Sequence, residues 1–256
     1  MSRRIDQVEK YFKPVEYLNS LSGVLFYISA LFAIAIPLLS GRVGETIFQY
    51  ASIIFVLMVV LHSISQGVSS FYFLQRAERE RRKQLLSNSL GVPLTHSQTN
   101  NYYNNEREVG LERLSANLME NSFFGKCLCA AILKSERIKV VFYSVLLLFS
   151  LLSRDSDLGV VLVLTQTFFA GGIFLGWVEL EILRMKNERV YSSLYSLHLN
   201  QNGPFNVNES AILLDEFAEY ECAKSSASIK LSSKVFHKLN ASLTEEWESI
   251  KRTVGL

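Results

Sequence analysis

The sequence predicts an all-α polytopic membrane protein, with four transmembrane helices in two hairpins and a helical cytoplasmic region. Three observations predict it. Four long stretches contain no Asp, Glu, Lys or Arg, 24 of the 26 Lys and Arg residues fall on one side of those stretches, and no segment shows strand alternation. The averages hide this pattern. A chain of 256 residues with 26 basic and 24 acidic side chains, net charge +2 and mean hydropathy +0.18 looks like a soluble domain. Those averages exclude a disordered chain, collagen, a disulfide scaffold and a strongly basic nucleic-acid binder, so no DNA or RNA polymer is expected as partner.

The first charge-free stretch runs 25 residues from 17 to 41, and the second 30 residues from 46 to 75. A hydrocarbon core of about 30 Å needs about 20 helical residues, so both suffice. The third, from 140 to 153, has 14 residues. Lys139 and Arg154 flank it, and their long stems extend its reach by snorkelling. The fourth has 21 residues, 158–178, and follows after the polar turn Arg154-Asp155-Ser156-Asp157. Two apolar helices joined by so short a turn make a hairpin. The first stretch is too long for a cleaved signal and lies behind a polar segment, so it reads as a retained span.

Orientation follows from the cations. The N-terminal tail holds 4, the segment between spans two and three 11, and the tail from Arg184 onward 9. Only Arg42 and Arg154 lie in the hairpin turns. The positive-inside rule puts both termini and the middle segment in the cytoplasm. The expected organisation is a tail (1–16), a first hairpin (17–75), a helical insert (76–139), a second hairpin (140–182) and a helical C-terminal region (183–256). The three cysteines, Cys127, Cys129 and Cys222, all fall on the cytoplasmic side. Neither a disulfide framework nor a metal site is implied.

Span two continues into a charged helix, Arg76 to about Asn88, with Glu78/Arg82 and Glu80/Gln84 one turn apart and one face strongly basic. That face is either a positive-inside anchor or an anion site for lipid headgroups or a phosphorylated ligand. Gly91-Val92-Pro93 ends it. A loop through Tyr102-Tyr103-Asn104-Asn105 leads to a third helix, Glu106 to Glu136. Beyond span four a helix is expected over 179–195, another with Asn208 as N-cap running to about Ala223, an apolar segment over 229–239, and a last helix capped by Thr244.

No phosphate loop, nucleophile elbow, metalloprotease helix or paired-cysteine motif occurs, and the four histidines are scattered. No enzyme activity and no cofactor are expected. The spans carry more. His62, Gln66 and Ser69 lie at i, i+4 and i+7 on span two, beside Ser63, Ser65 and Ser70. Facing lipid, such groups would be costly, so the stripe faces another helix or lines a water-filled pore. Thr165 and Gln166 stand near the start of span four as further pore-lining candidates. Gly172 and Gly176 form a GxxxG pair for close helix packing in an oligomer.

The segment between spans two and three carries Ala77-Glu78, Arg81-Arg82, Asn88, Gly91, Tyr102-Tyr103-Asn104-Asn105, Gly110, Arg113-Leu114, Asn117 and Glu120-Asn121-Ser122-Phe123-Phe124. In this order, with two spans on either side, it resembles the SMODS-associated four-transmembrane effectors. The resemblance implies a pore-forming effector of a bacterial antiphage system, placed in the inner membrane. It also implies activation by a cyclic oligonucleotide made by a partner nucleotidyltransferase; assembly with further copies of the chain is expected from the GxxxG pair. An anionic nucleotide would then engage Arg79, Arg81, Arg82 or Arg113, with Tyr102 or Tyr103 stacking on a base. The competing class is a membrane-anchored sensor or scaffold whose cytoplasmic helices recruit a protein. A transporter fits less well, since no internal repeat is visible.

Overall fold

The computed structural model describes residues 7–39, 44–95, 103, 105, 107–152, 161, 165, 172–201 and 203–256. Both hairpin turns, Tyr102, Gln166 and most of the fourth charge-free stretch lie outside the described residues. Every regular element is helical: α1 (Glu9–Leu39), α2 (Glu45–Val68), a π-helical turn (Ser69–Leu74), α3 (Gln75–Leu90), α4 (Leu111–Leu152), α5 (Ile173–Leu199), α6 (Val207–Ala227) and α7 (Ser233–Val254). No strand occurs among the described residues.

The chain divides into two compact units. A core unit takes Met1–Phe12, Leu74–Leu133 and Glu179–Leu256, and an apolar unit takes Lys13–Phe73 and Lys134–Val178.

In the core unit, α4 is the central element. Leu114 to Glu120 are buried without a break, so neighbours surround this helix on every side. Leu85, Leu118, Phe123, Leu194, Leu213 and Trp247 bring α3 and α4 to α7 into one core. Trp247 is fully buried and stacks on Phe123, with ring centroids 5.9 Å apart. Gly125 on α4 permits a close crossing by α5, because a Cβ there would overlap the buried Asn187 amide. Asn187 Nδ2 donates back to its own helix at Leu183 O (2.7 Å). Burial pushes the Cys129 thiol up to about 12 and raises Cys127, so both stay protonated fillers of the helix surface.

Several sequence expectations about boundaries are corrected. The expected third helix and third span are one uninterrupted helix, α4. Nothing between Glu136 and Val140 breaks it, and Lys139 pairs with Glu136 (2.6 Å) one turn back. The cap of α6 is Asn206, not Asn208. Its side chain accepts from Glu209 N (3.0 Å) while Glu209 Oε2 accepts from Asn206 N (2.7 Å), a complete capping box. The last two apolar segments are one helix, α7, capped by Ser232. Thr244, expected as a cap, lies inside it and donates to Asn240 O (2.7 Å). The stop at Gly91 is as expected. Its φ of 69° is left-handed backbone that favours glycine, and its N–H reaches Ser87 O (3.0 Å).

In the apolar unit the surface is greasy. Two segments are long and apolar enough to cross a membrane, Glu9–Phe32 and the run that starts at Glu45. No residue of α2 is buried, and Ile47, Ile53, Leu57, Leu61 and Ile64 are among its exposed side chains. The distal half of α4 exposes Val141, Phe142, Val145, Leu148 and Phe149. In water this surface would be a severe liability. In hydrocarbon it is the required exterior.

Candidate functional site

In the apolar unit, polar side chains of α1 and α2 meet along one seam. Asn19 and Ser22 lie three residues apart on α1 and share a face. His62, Gln66 and Ser69 share a face on α2 and its continuation. Ser69 Oγ donates to Asn19 Oδ1 (2.6 Å). Ser22 Oγ donates to Gln66 Oε1 (3.1 Å) and lies 2.9 Å from His62 Nδ1. His62 Nδ1 also lies 3.0 Å from Ser22 O. A proton on Nδ1 satisfies all these contacts at once, because both Ser22 oxygens accept from it. Residue 19 meets 69 while 22 meets 66 and 62, so the two helices run antiparallel. Ser22 and Ser69 are buried, whereas His62 is half-buried and Gln66 is exposed. The stripe expected on α2 therefore faces α1 within the chain.

Ser69 is also where the α-helical ladder gives way to the π-helical turn, its N–H shared between Gln66 O and Ser65 O. Such turns are rare and concentrate at functional sites. Thr165, the described member of the span-four pair, donates to Val161 O (2.8 Å). Gly172 has a φ of 75° and precedes α5, so it does not share a continuous helix face with Gly176. Added Cβ atoms at both glycines meet nothing within 4 Å among the described residues, so no close packing of the pair is seen there.

In the core unit the basic helix α3 is tied to α6. Lys224 Nζ lies 2.5 Å from Glu78 Oε2, and Arg82 Nη1 lies 3.7 Å from Glu221 Oε2. The expected pairs along α3, Glu78 with Arg82 and Glu80 with Gln84, are replaced. Glu80 takes Lys83 (3.1 Å), and Gln84 bonds Thr95. For Glu78 and Arg82 the partners lie on the neighbouring helix α6, where they are less hydrated than a pair along an exposed face. Burial works against the Lys224 charge, but Glu78, Tyr220 and Glu221 more than offset it and hold its pKa above the ordinary lysine value. Burial raises the Glu221 carboxyl despite Lys224 and Arg82.

The expected ligand-binding residues do not share one environment. Arg79 is exposed. Arg81 lies over the Phe12 ring (5.6 Å), as does Lys230 (5.4 Å), and Arg76 lies over Tyr11 (5.5 Å). Arg82 is engaged by Glu221. Arg113 buries its Nε without a hydrogen-bond partner among the described residues, and Tyr103 packs against the hydrophobic core. The asparagines of the same segment do converge. Asn117 Nδ2 donates to Asn88 Oδ1 (3.1 Å) and Ser89 Oγ (2.9 Å), and Asn105 donates to Asn117 Oδ1. They lock the end of α3 to α4.

Sequence reasoning missed Asn19 and Ser22. Their three-residue spacing on an otherwise apolar span was the available signal. It also missed Glu221 and Lys224, which likewise stand three apart on α6. No family model, curated protein or solved structure matches the chain. Among the described residues no three His, Cys, Asp or Glu side chains converge to hold a metal.

Proposed function

We propose that the chain is a pore-forming effector of the bacterial inner membrane. It crosses four times in two hairpins, keeps both termini in the cytoplasm and assembles with copies of itself. The single observation that supports this most is α2, a 24-residue helix with no buried residue, whose His62 and Gln66 share one face with Ser69 of the following turn. An apolar exterior suits lipid and neighbouring subunits, and a single polar stripe is what a water path needs. The resemblance to the SMODS-associated four-transmembrane effectors supplies the trigger, a cyclic oligonucleotide from a partner nucleotidyltransferase. Arg79, exposed on α3, is the cation this reading assigns to meet it.

Induction in bacteria loaded with a voltage-sensitive dye tests the reading. Depolarisation before loss of viability is expected. A second reading, an anchored sensor or scaffold, draws on the same seam, since polar groups satisfied within the chain need no pore. It predicts that induction leaves the membrane potential intact.

A further inference from the structure

We infer that the α1–α2 seam is a latch that holds the pore shut, with Asn19 and Ser22 as its catch. The inference rests on the pore-forming reading and adds its regulation. The α2 stripe is not free to line a path in the structure described. His62 and Gln66 are both bonded to Ser22, and Ser69 is bonded to Asn19. Two side chains of α1 therefore occupy three groups of α2.

The latch is chemically suited to exchange. A bond between neutral polar side chains inside a bilayer is replaced at little net loss when water enters the same seam. It cannot be replaced by lipid, because an unpaired amide or imidazole in hydrocarbon is strongly disfavoured. The seam thus has two stable settings, closed on α1 or opened to water, and no favourable one against lipid. Ser69, held by Asn19, opens the π-helical turn Ser69–Leu74. Such a turn holds more residues than an α-turn, and relaxing it by one residue would rotate the adjoining helix by roughly 100°. That rotation is large enough to carry the stripe off α1.

The test uses the full-length protein in phosphatidylethanolamine/phosphatidylglycerol liposomes filled with carboxyfluorescein, with no added signal. Asn19→Leu/Ser22→Ala strips the catch and leaves His62, Gln66 and Ser69 in place. Release about tenfold faster than wild type is expected, the scale of losing a few interhelical bonds. Ser22→Thr keeps the hydroxyl and should release at the wild-type rate. Ser22→Ala alone removes one oxygen and carries the test if the double variant does not insert. Release from the catch variants no faster than wild type would overturn the latch. Depolarisation on induction tests the pore separately, so a cell-active wild type with silent catch variants rejects the latch alone.

Discussion

Ser22 and His62 lie on antiparallel helices with Oγ 2.9 Å from Nδ1, and the Ser22 carbonyl lies 3.0 Å from the same nitrogen. One serine thus holds one histidine through both its oxygens. It also donates to Gln66, so the polar face of α2 has its partners inside the chain. The consequence for function is that the closed seam is self-sufficient. An open path must be reached by breaking named bonds.

Lys224 pairs with Glu78 and, with Arg82, offsets Glu221 between α3 and α6. Lys224→Met should destabilise the protein by about 1–3 kcal/mol, because it leaves Glu78 without its cation and Glu221 with Arg82 alone. Adding Glu78→Gln should restore much of that loss. Thermal unfolding in detergent measures both. Additive losses in the double variant would contradict the coupling.

Burial, helped by the nearby Arg107 charge, lowers the His198 pKa to about 4 against the raising effect of its Gln201 bond and of Glu112. Ser115 Oγ lies 2.9 Å from Nε2, and Gln201 Oε1 lies 3.2 Å from Nδ1. The folded value lies below the unfolded value of 6.5, so the fold favours the neutral ring. The associated stability is complete above about pH 6.5 and is lost as pH falls towards 4. The full loss is about 3 kcal/mol. Denaturant midpoints across this window should fall for wild type and flatten for His198→Gln. An identical slope in both would contradict the assignment.

Gly125 and Asn187 occupy one crossing of α4 and α5. Gly125→Ala should destabilise by about 1–3 kcal/mol through overpacking against the amide. Asn187→Ala in the same chain should relieve part of that loss, since the smaller side chain vacates the space. A double-mutant cycle by chemical unfolding reads the coupling directly.

The four-span reading places both hairpin turns on the periplasmic face of the inner membrane. Single cysteines at Arg42→Cys and Arg154→Cys, in a chain with Cys127, Cys129 and Cys222 replaced by Ala, should react with an impermeant maleimide in intact cells. A cysteine at Arg79→Cys should react only after permeabilisation. Labelling of position 79 from outside would invert the proposed topology.

Much of the helical framework was legible because its signals are local. Gly91 ends α3 through one backbone angle, and the charge-free stretches marked α1 and α2 by length alone. What was not legible depended on tertiary partners. Glu78 stood four residues before Arg82, a sound helical pair, yet Lys224 from a distant helix took it. Asn208 and Asn206 are both competent caps, and only the reciprocal bond with Glu209 separates them. The α2 stripe was visible at i, i+4 and i+7, but its partners Asn19 and Ser22 are visible only when α1 is laid against it. Tyr103, expected as a stacking platform, is partly buried and packs against the core.

The most direct measurement is the conductance of planar bilayers carrying the purified full-length chain. Discrete current steps are expected from the Asn19→Leu/Ser22→Ala chain, and adding His62→Leu/Gln66→Leu should abolish them while the protein still inserts and keeps its helix content. A bilayer that stays sealed with catch variants and wild type alike, or steps unchanged in the His62/Gln66 variant, would contradict it.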